Sequence, residues 1–164
     1  MVKSGTAAKS VESRESRILI FVEGCSDNIT VKKIASILKV PVDIREMRDW
    51  RASKISKWIS EVCDEYDKII VLRDKKSPQD VQQWFLRIAA NLNGECKRKC
   101  RLATAENTIE SWILALMSLH PNPDALSDPE RELDHQMQLK YGRKYHKCRT
   151  SKILQNLSLN SIKV

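Results

Sequence analysis

Five apolar residues, Ile18 to Val22, run without alternation and stop abruptly at Glu23-Gly24-Cys25-Ser26-Asp27. A short unbroken apolar run is the pattern of a strand covered on both faces, as in parallel sheets. Ser26 and Asp27 have the chemistry of the N-cap region of a following helix. Glu23 is thereby placed at the carboxyl end of a central strand, where open α/β sheets bind their ligands. An acid there, beside a glycine that permits close approach, is a candidate functional group; the bland alternative is a solvated turn acid.

A second segment ends in the same way. Lys68-Ile-Ile-Val-Leu-Arg-Asp74 is another continuous apolar run closed by an acid, with Lys75, Lys76, Ser77 and Pro78 after it. Ser77 and Pro78 read as the next helix start, because proline is tolerated at the first helical position. Asp74 then occupies the topological equivalent of Glu23. Two strand-end acids on one parallel sheet can converge on a divalent cation, and hard oxygen ligands suit magnesium or manganese.

Helical spacing returns after each apolar run. Ile29, Ile34, Ile37 and Leu38 stripe a helix from about Ser26 to Lys39, closed by Pro41, and Val42 to Ile44 opens a short strand. Asp49 reads as the cap of a helix through Ile55, Trp58, Ile59 and Val62. The strand Ile69 to Leu72 precedes a helix carrying Val81, Trp84, Phe85, Ile88 and Ala89, broken at Asn93-Gly94. Lys99 to Ala103 is the fourth strand, and Asn107 caps an apolar helix from Ile109 to Leu119. The order βαβαβαβα predicts a single α/β domain with a four-stranded, mostly parallel sheet flanked by helices and joined by right-handed crossovers.

Residues 1–16 are polar and read as a flexible leader, residues 17–123 as the α/β domain, and residues 124–164 as a basic helical extension packed on it. The extension starts at Asp128-Pro129-Glu130, is interrupted by Gly142, and has a last short helix from Thr150 to Leu157. From Arg131 to Val164 eight Lys/Arg face two acids, a net +6 within a chain of +8. Lys97, Arg98, Lys99 and Arg101 form a second basic knot. A basic end beside a carboxylate crevice favours a polyanionic partner, with nucleic acid ahead of membrane, and Tyr141 and Tyr145 are placed to stack on bases. A solvated basic surface is the competing explanation.

No apolar run approaches the ~20 residues of a membrane helix. The five cysteines, Cys25, Cys63, Cys96, Cys100 and Cys148, lack the paired spacing of a zinc site. Reduced thiols in a cytoplasmic protein are expected, with a Cys96–Cys100 disulfide left open. His120, His135 and His146 are scattered. Trp50, Trp58, Trp84 and Trp112 lie near helical stripes, where core packing explains them.

With both acids placed, Phe21-Val22-Glu23-Gly24 with Asp27, and Val71-Leu72-Arg73-Asp74, resemble the Toprim family of topoisomerases, primases, OLD-type nucleases and recombination mediators. In that family the glutamate serves acid/base chemistry or metal binding, and an Asp-x-Asp pair coordinates magnesium. The resemblance covers about Arg17 to Ala105 and implies those roles for Glu23 and Asp74. The stretch from Ala105 to Leu116 is similar to the Glu-x-x-x-Glu-x-Trp signature of small Toprim-like proteins, which also carry a late Tyr-x-Lys like Tyr145-His146-Lys147. It brings in Glu106 and Glu110 as metal ligands, although acids in a first helical turn are also favoured by the helix dipole.

The chain departs from the family at Lys76, which stands where the second aspartate belongs. An ammonium is no metal ligand but can contact a phosphate as a point charge. Asp80, three residues after Ser77, suits a capping box. The resulting expectation is a Mg2+- or Mn2+-dependent nucleic-acid phosphotransfer protein or nuclease holding a single ion, with Lys76, Arg143, Lys144, Lys147 and Arg149 on the phosphate backbone. The alternative is a non-catalytic module, for nucleic acid or a protein partner, that keeps the fold. A receiver-type regulator is weaker, because Glu23-Gly24 does not suit it.

Overall fold

Both unbroken apolar runs lie at the centre of a parallel sheet. A computed structural model of the chain describes residues 16–48, 50–75, 80–148 and 154. Strands β1 (Ile18–Val22), β2 (Asp43–Glu46), β3 (Lys68–Asp74) and β4 (Cys100–Ala105) pair throughout in parallel, in the order β2-β1-β3-β4. The chain leaves β1 toward one edge and returns at β3 on the other side. The switch point of the sheet therefore lies between the carboxyl ends of β1 and β3.

Successive side chains on each strand alternate between the two faces. Leu19 and Phe21 of β1 with Ile69 and Val71 of β3 meet Ile55 and Ile59 of helix α2 (Ala52–Val62) and Trp84 and Ile88 of α3 (Val81–Ala90). Val22 and Leu72 face the other way, onto Val31 of α1 (Cys25–Ile37) and Ile109 of α5 (Ile109–Leu116). This double covering is why the runs carry no polar alternation. The short helix α4 (Gly94–Lys99) precedes β4, and its cap is Asn93, whose side chain accepts from the Cys96 N–H.

Helix α6 (Pro129–Tyr141) is capped by Asp128 and ends at Gly142, which takes the left-handed conformation at φ 65°. Leu133 and Met137 of α6 pack with Tyr145 and Leu154 against Ile113, Leu114 and Met117. The extension thus lies along α5. The expected last helix falls outside the described residues except for the buried Leu154.

Several boundaries differ from expectation. Helix α1 begins at Cys25, with Gly24 as N-cap and Asp27 at the third helical position. Asp80 is the N-cap of α3 and accepts from the Gln83 N–H. Thr108, not Asn107, is the N-cap of α5; Asn107 is buried and donates to the Leu126 carbonyl at 2.6 Å. Asp49, Ser77 and Pro78 lie outside the described residues.

The cysteines also pair otherwise. The structure contains Cys25–Cys148 and Cys63–Cys96 disulfides, and Cys100 is free and buried. Cys63 follows α2 and Cys96 sits on α4, which packing brings to a Cα separation of 5.6 Å. Chain distance is no guide to such tertiary neighbours.

Candidate acidic crevice

Glu23 follows β1 and Asp74 ends β3, so the two acids flank the switch point. Alternation decides what each meets. Arg73 shares a face with Ile69 and Val71, and its buried guanidinium lies 4.5 Å from the Trp50 ring and 4.4 Å from the Trp84 ring. Trp84 Nε1 donates to the Trp50 backbone carbonyl at 2.7 Å, which fixes the Trp84 ring against that segment. From this aromatic clamp Arg73 Nε donates to Glu23 Oε1 at 3.0 Å. Glu23 is thus held by an oriented cation desolvated between two π-faces.

Asp74 faces the opposite layer, where the Ile109 N–H at the start of α5 donates to it. Burial, and then the charges of Glu23, Asp27 and Glu110, push its carboxyl up to about 8, against that hydrogen bond. Asp27 is buried and accepts from the Gly24 N–H at 2.9 Å. Burial raises its carboxyl to about 6 against this bond, with Glu23 and Glu110 adding to the rise. Four carboxylates therefore feel one another across the carboxyl end of the sheet.

Glu110, only 3% exposed, is the fourth. The Tyr145 hydroxyl donates to its Oε1 at 3.2 Å and is also hydrogen-bonded to Ser26 Oγ. Lys147 Nζ lies 4.0 Å from Glu110 and 3.3 Å from Glu130. Burial opposes the Lys147 charge, but Glu110 and Glu130 outweigh it and hold the ammonium above its ordinary value. Ser26 Oγ accepts from the Cys148 N–H at 3.2 Å, and the Cys25–Cys148 bond ties the same segment to α1.

Comparison with protein-family models, curated proteins and solved structures finds no match for this chain. The reading of the crevice rests on its own geometry.

Glu23 and Asp74 lie at the carboxyl ends of β1 and β3 as read from sequence, and Glu110, in the first turn of α5, is near enough to raise Asp74. Glu106 stands apart: it is exposed and pairs with Lys75 Nζ at 2.8 Å, and it is not among the acids that raise Asp74. Arg143 and Lys144 are exposed, whereas Lys147 is engaged with acids of the protein itself. Lys76 and Arg149 lie outside the described residues. Tyr145 is buried and cannot offer its ring to a base as anticipated; Tyr141 is exposed.

Asp27, Arg73, Trp50 and Trp84 were missing from the candidates drawn from sequence. Asp27 was read for its N-cap chemistry, and in the structure it is the third helical residue, accepting from the Gly24 N–H. Arg73 is a charge inside a strand whose pattern says both faces are buried, an anomaly that marks a buried partner. The tryptophans carried no such signal, because their clamp is made by residues far apart in the chain.

The oxygen-only donor set has the chemistry of a hard divalent cation. Among the described residues no three His, Cys, Asp or Glu are gathered in metal-holding geometry. Coordination would therefore draw Glu23 from Arg73 or Glu110 from Lys147.

Proposed function

We propose that the chain is a Toprim-like, Mg2+-dependent nucleic-acid phosphotransfer protein or nuclease with an atypical site. One observation carries this reading. Glu23, Asp27, Asp74 and Glu110 share one crevice, where among the described residues Arg73 pairs with Glu23 and Lys147 with Glu110. The cluster is acid-rich, which suits a divalent cation, and burial with the neighbouring acids pushes the Asp74 carboxyl up to about 8. Thr108 Oγ1, at the cap beside Asp74's hydrogen-bond donor, and Asn107 Oδ1 are buried oxygens without a protein partner.

Asp74 and Asp27 would hold Mg2+ or Mn2+, with Glu110 closing the set. The ion supplies polarisation of a phosphoryl oxygen. Glu23 handles the proton of the attacking or leaving oxygen at Oε1, oriented by Arg73. Lys76 replaces a second acidic ligand and meets phosphate as a point charge. Among the described residues no helix is long and apolar enough to cross a membrane.

A second reading, a non-catalytic binding module, is favoured by the resident cations that already pair with Glu23 and Glu110. Calorimetric titration of Mg2+ and Mn2+ into wild type and the Glu23→Gln/Asp74→Asn double variant, alongside incubation with DNA and RNA, separates the two. Binding near one ion per chain, lost in the variant and accompanied by cleavage, supports the enzyme. Salt-sensitive nucleic-acid binding without metal binding leaves the module.

A further inference from the structure

We infer that the groove at the carboxyl end of β2, lined by Arg45, Arg48 and Trp58, is the track by which a single-stranded nucleic acid reaches the acidic crevice. The inference rests on the nucleic-acid reading above and names the path and form of the substrate. Among the described residues the crevice is acid-rich, which suits it poorly to the capture of a polyanion. An attractive flank has to supply the encounter.

The groove is a shallow, open depression of about 560 Å³ lined by Asn28, Ile44, Arg45, Glu46, Arg48 and Trp58. That volume falls within the ~300–1,000 Å³ of ordinary ligand sites. Its position follows from the sheet register. Glu46 stands beside Val22, the residue before Glu23, and the Met47 N–H donates to the Val22 carbonyl at 2.8 Å. Asn28 directly follows Asp27 in α1. The groove therefore opens beside two of the four crevice acids.

Its chemistry matches an unpaired strand. Arg45 and Arg48 are exposed, and neither pairs with an acid among the described residues. Glu46, the one acid of the lining, accepts from Asn28 Nδ2 at 3.2 Å, which moderates its repulsion of phosphate. Trp58 is only partly buried, so indole surface remains on the groove. Guanidinium groups for phosphates beside an indole for a base are the elements of single-strand recognition, and a paired base has no free face to give. In the basic extension Tyr145 is buried and Lys147 is held by Glu110 and Glu130, which leaves exposed Tyr141, Arg143 and Lys144 as the competing surface.

The test is fluorescence anisotropy of a labelled oligothymidylate or oligouridylate of about 20 nucleotides, longer than typical single-strand site sizes. Arg45→Ala/Arg48→Ala is expected to weaken binding about tenfold and to lower the salt slope of log K by roughly 1.4, at ~0.7 per phosphate contact. Trp58→Leu is expected to weaken binding about fivefold or more, with Trp58→Phe retaining most of it. Melting curves confirm that each variant is folded. Calorimetric Mg2+ binding should be unchanged in the arginine variant, so loss of the track and loss of the metal site are read separately. The inference is overturned if the arginine variant binds like wild type while Arg143→Ala/Lys144→Ala abolishes binding. It is overturned equally if Trp58→Leu has no effect and duplex binds as well as single strand. Oligonucleotide binding that depends on Arg45 and Arg48 without any Mg2+ binding keeps the track and removes the enzyme reading.

Discussion

Replacing Asp74 by asparagine should make the metal-free protein more stable, although it removes a proposed functional group. Asp74 titrates at about 8 against an ordinary 3.8, because the fold buries it among three other acids. At ~1.4 kcal/mol per pH unit, holding it ionised costs at most about 6 kcal/mol. The group is only partly buried, and solvent screening brings the expected cost nearer 1–3 kcal/mol. The folded-state value lies above the unfolded one. Stability from this group is therefore complete below about pH 4 and is lost as pH rises through about 8. Asp27, raised to about 6, contributes a loss of the same sign over a lower window. The assay is thermal melting in EDTA from pH 5 to 9. For a chain of this size ~2–4 °C accompanies each kcal/mol, so Asp74→Asn should melt roughly 2–12 °C above wild type at pH 8 and much closer to it at pH 5. Magnesium should stabilise wild type more than the variant and narrow the gap. A variant that melts below wild type at pH 8 in EDTA would refute the crowding of acids from which the cation was inferred.

Arg73→Met should cost about 3 kcal/mol by chemical denaturation, since it leaves Glu23 without its buried partner, and Arg73→Lys should recover little, because an ammonium does not stack on the Trp50 and Trp84 rings as a planar guanidinium does. Leu133→Ala should lower stability by roughly 2–5 kcal/mol and loosen the contact of α6 with α5, read as faster amide exchange in α6. Under mild thiol reductant the Cys25–Cys148 bond, exposed at Cys148, should open before Cys63–Cys96, whose cysteines are 2% and 1% exposed; mass mapping of alkylated peptides checks the order.

Much of the fold was legible because its signals are local. A strand covered on both faces must be apolar at consecutive positions, and Ile18–Val22 and Ile69–Leu72 are. Glu23 and Asp74 were legible for the same reason, since each terminates such a run. Helix starts were less legible: Gly24, Asp80 and Thr108 became caps where neighbouring Ser, Thr, Asp or Asn residues offered the same hydrogen-bonding chemistry. Local chemistry permits several starts, and packing of the helix on the sheet selects one.

By itself, then, the sequence determined a parallel α/β sheet with two acids at its strand ends, because burial on both faces and chain termination of a strand are written in consecutive residues. The tertiary structure alone decided which further groups join them. Glu110 arrives from α5, Arg73 is aimed by two tryptophans from different segments, and Tyr145 and Lys147 come from the extension, more than a hundred residues after Glu23. Electrostatic coupling and cysteine pairing depend on distance through space, and distance through space is set by how helices pack on the sheet.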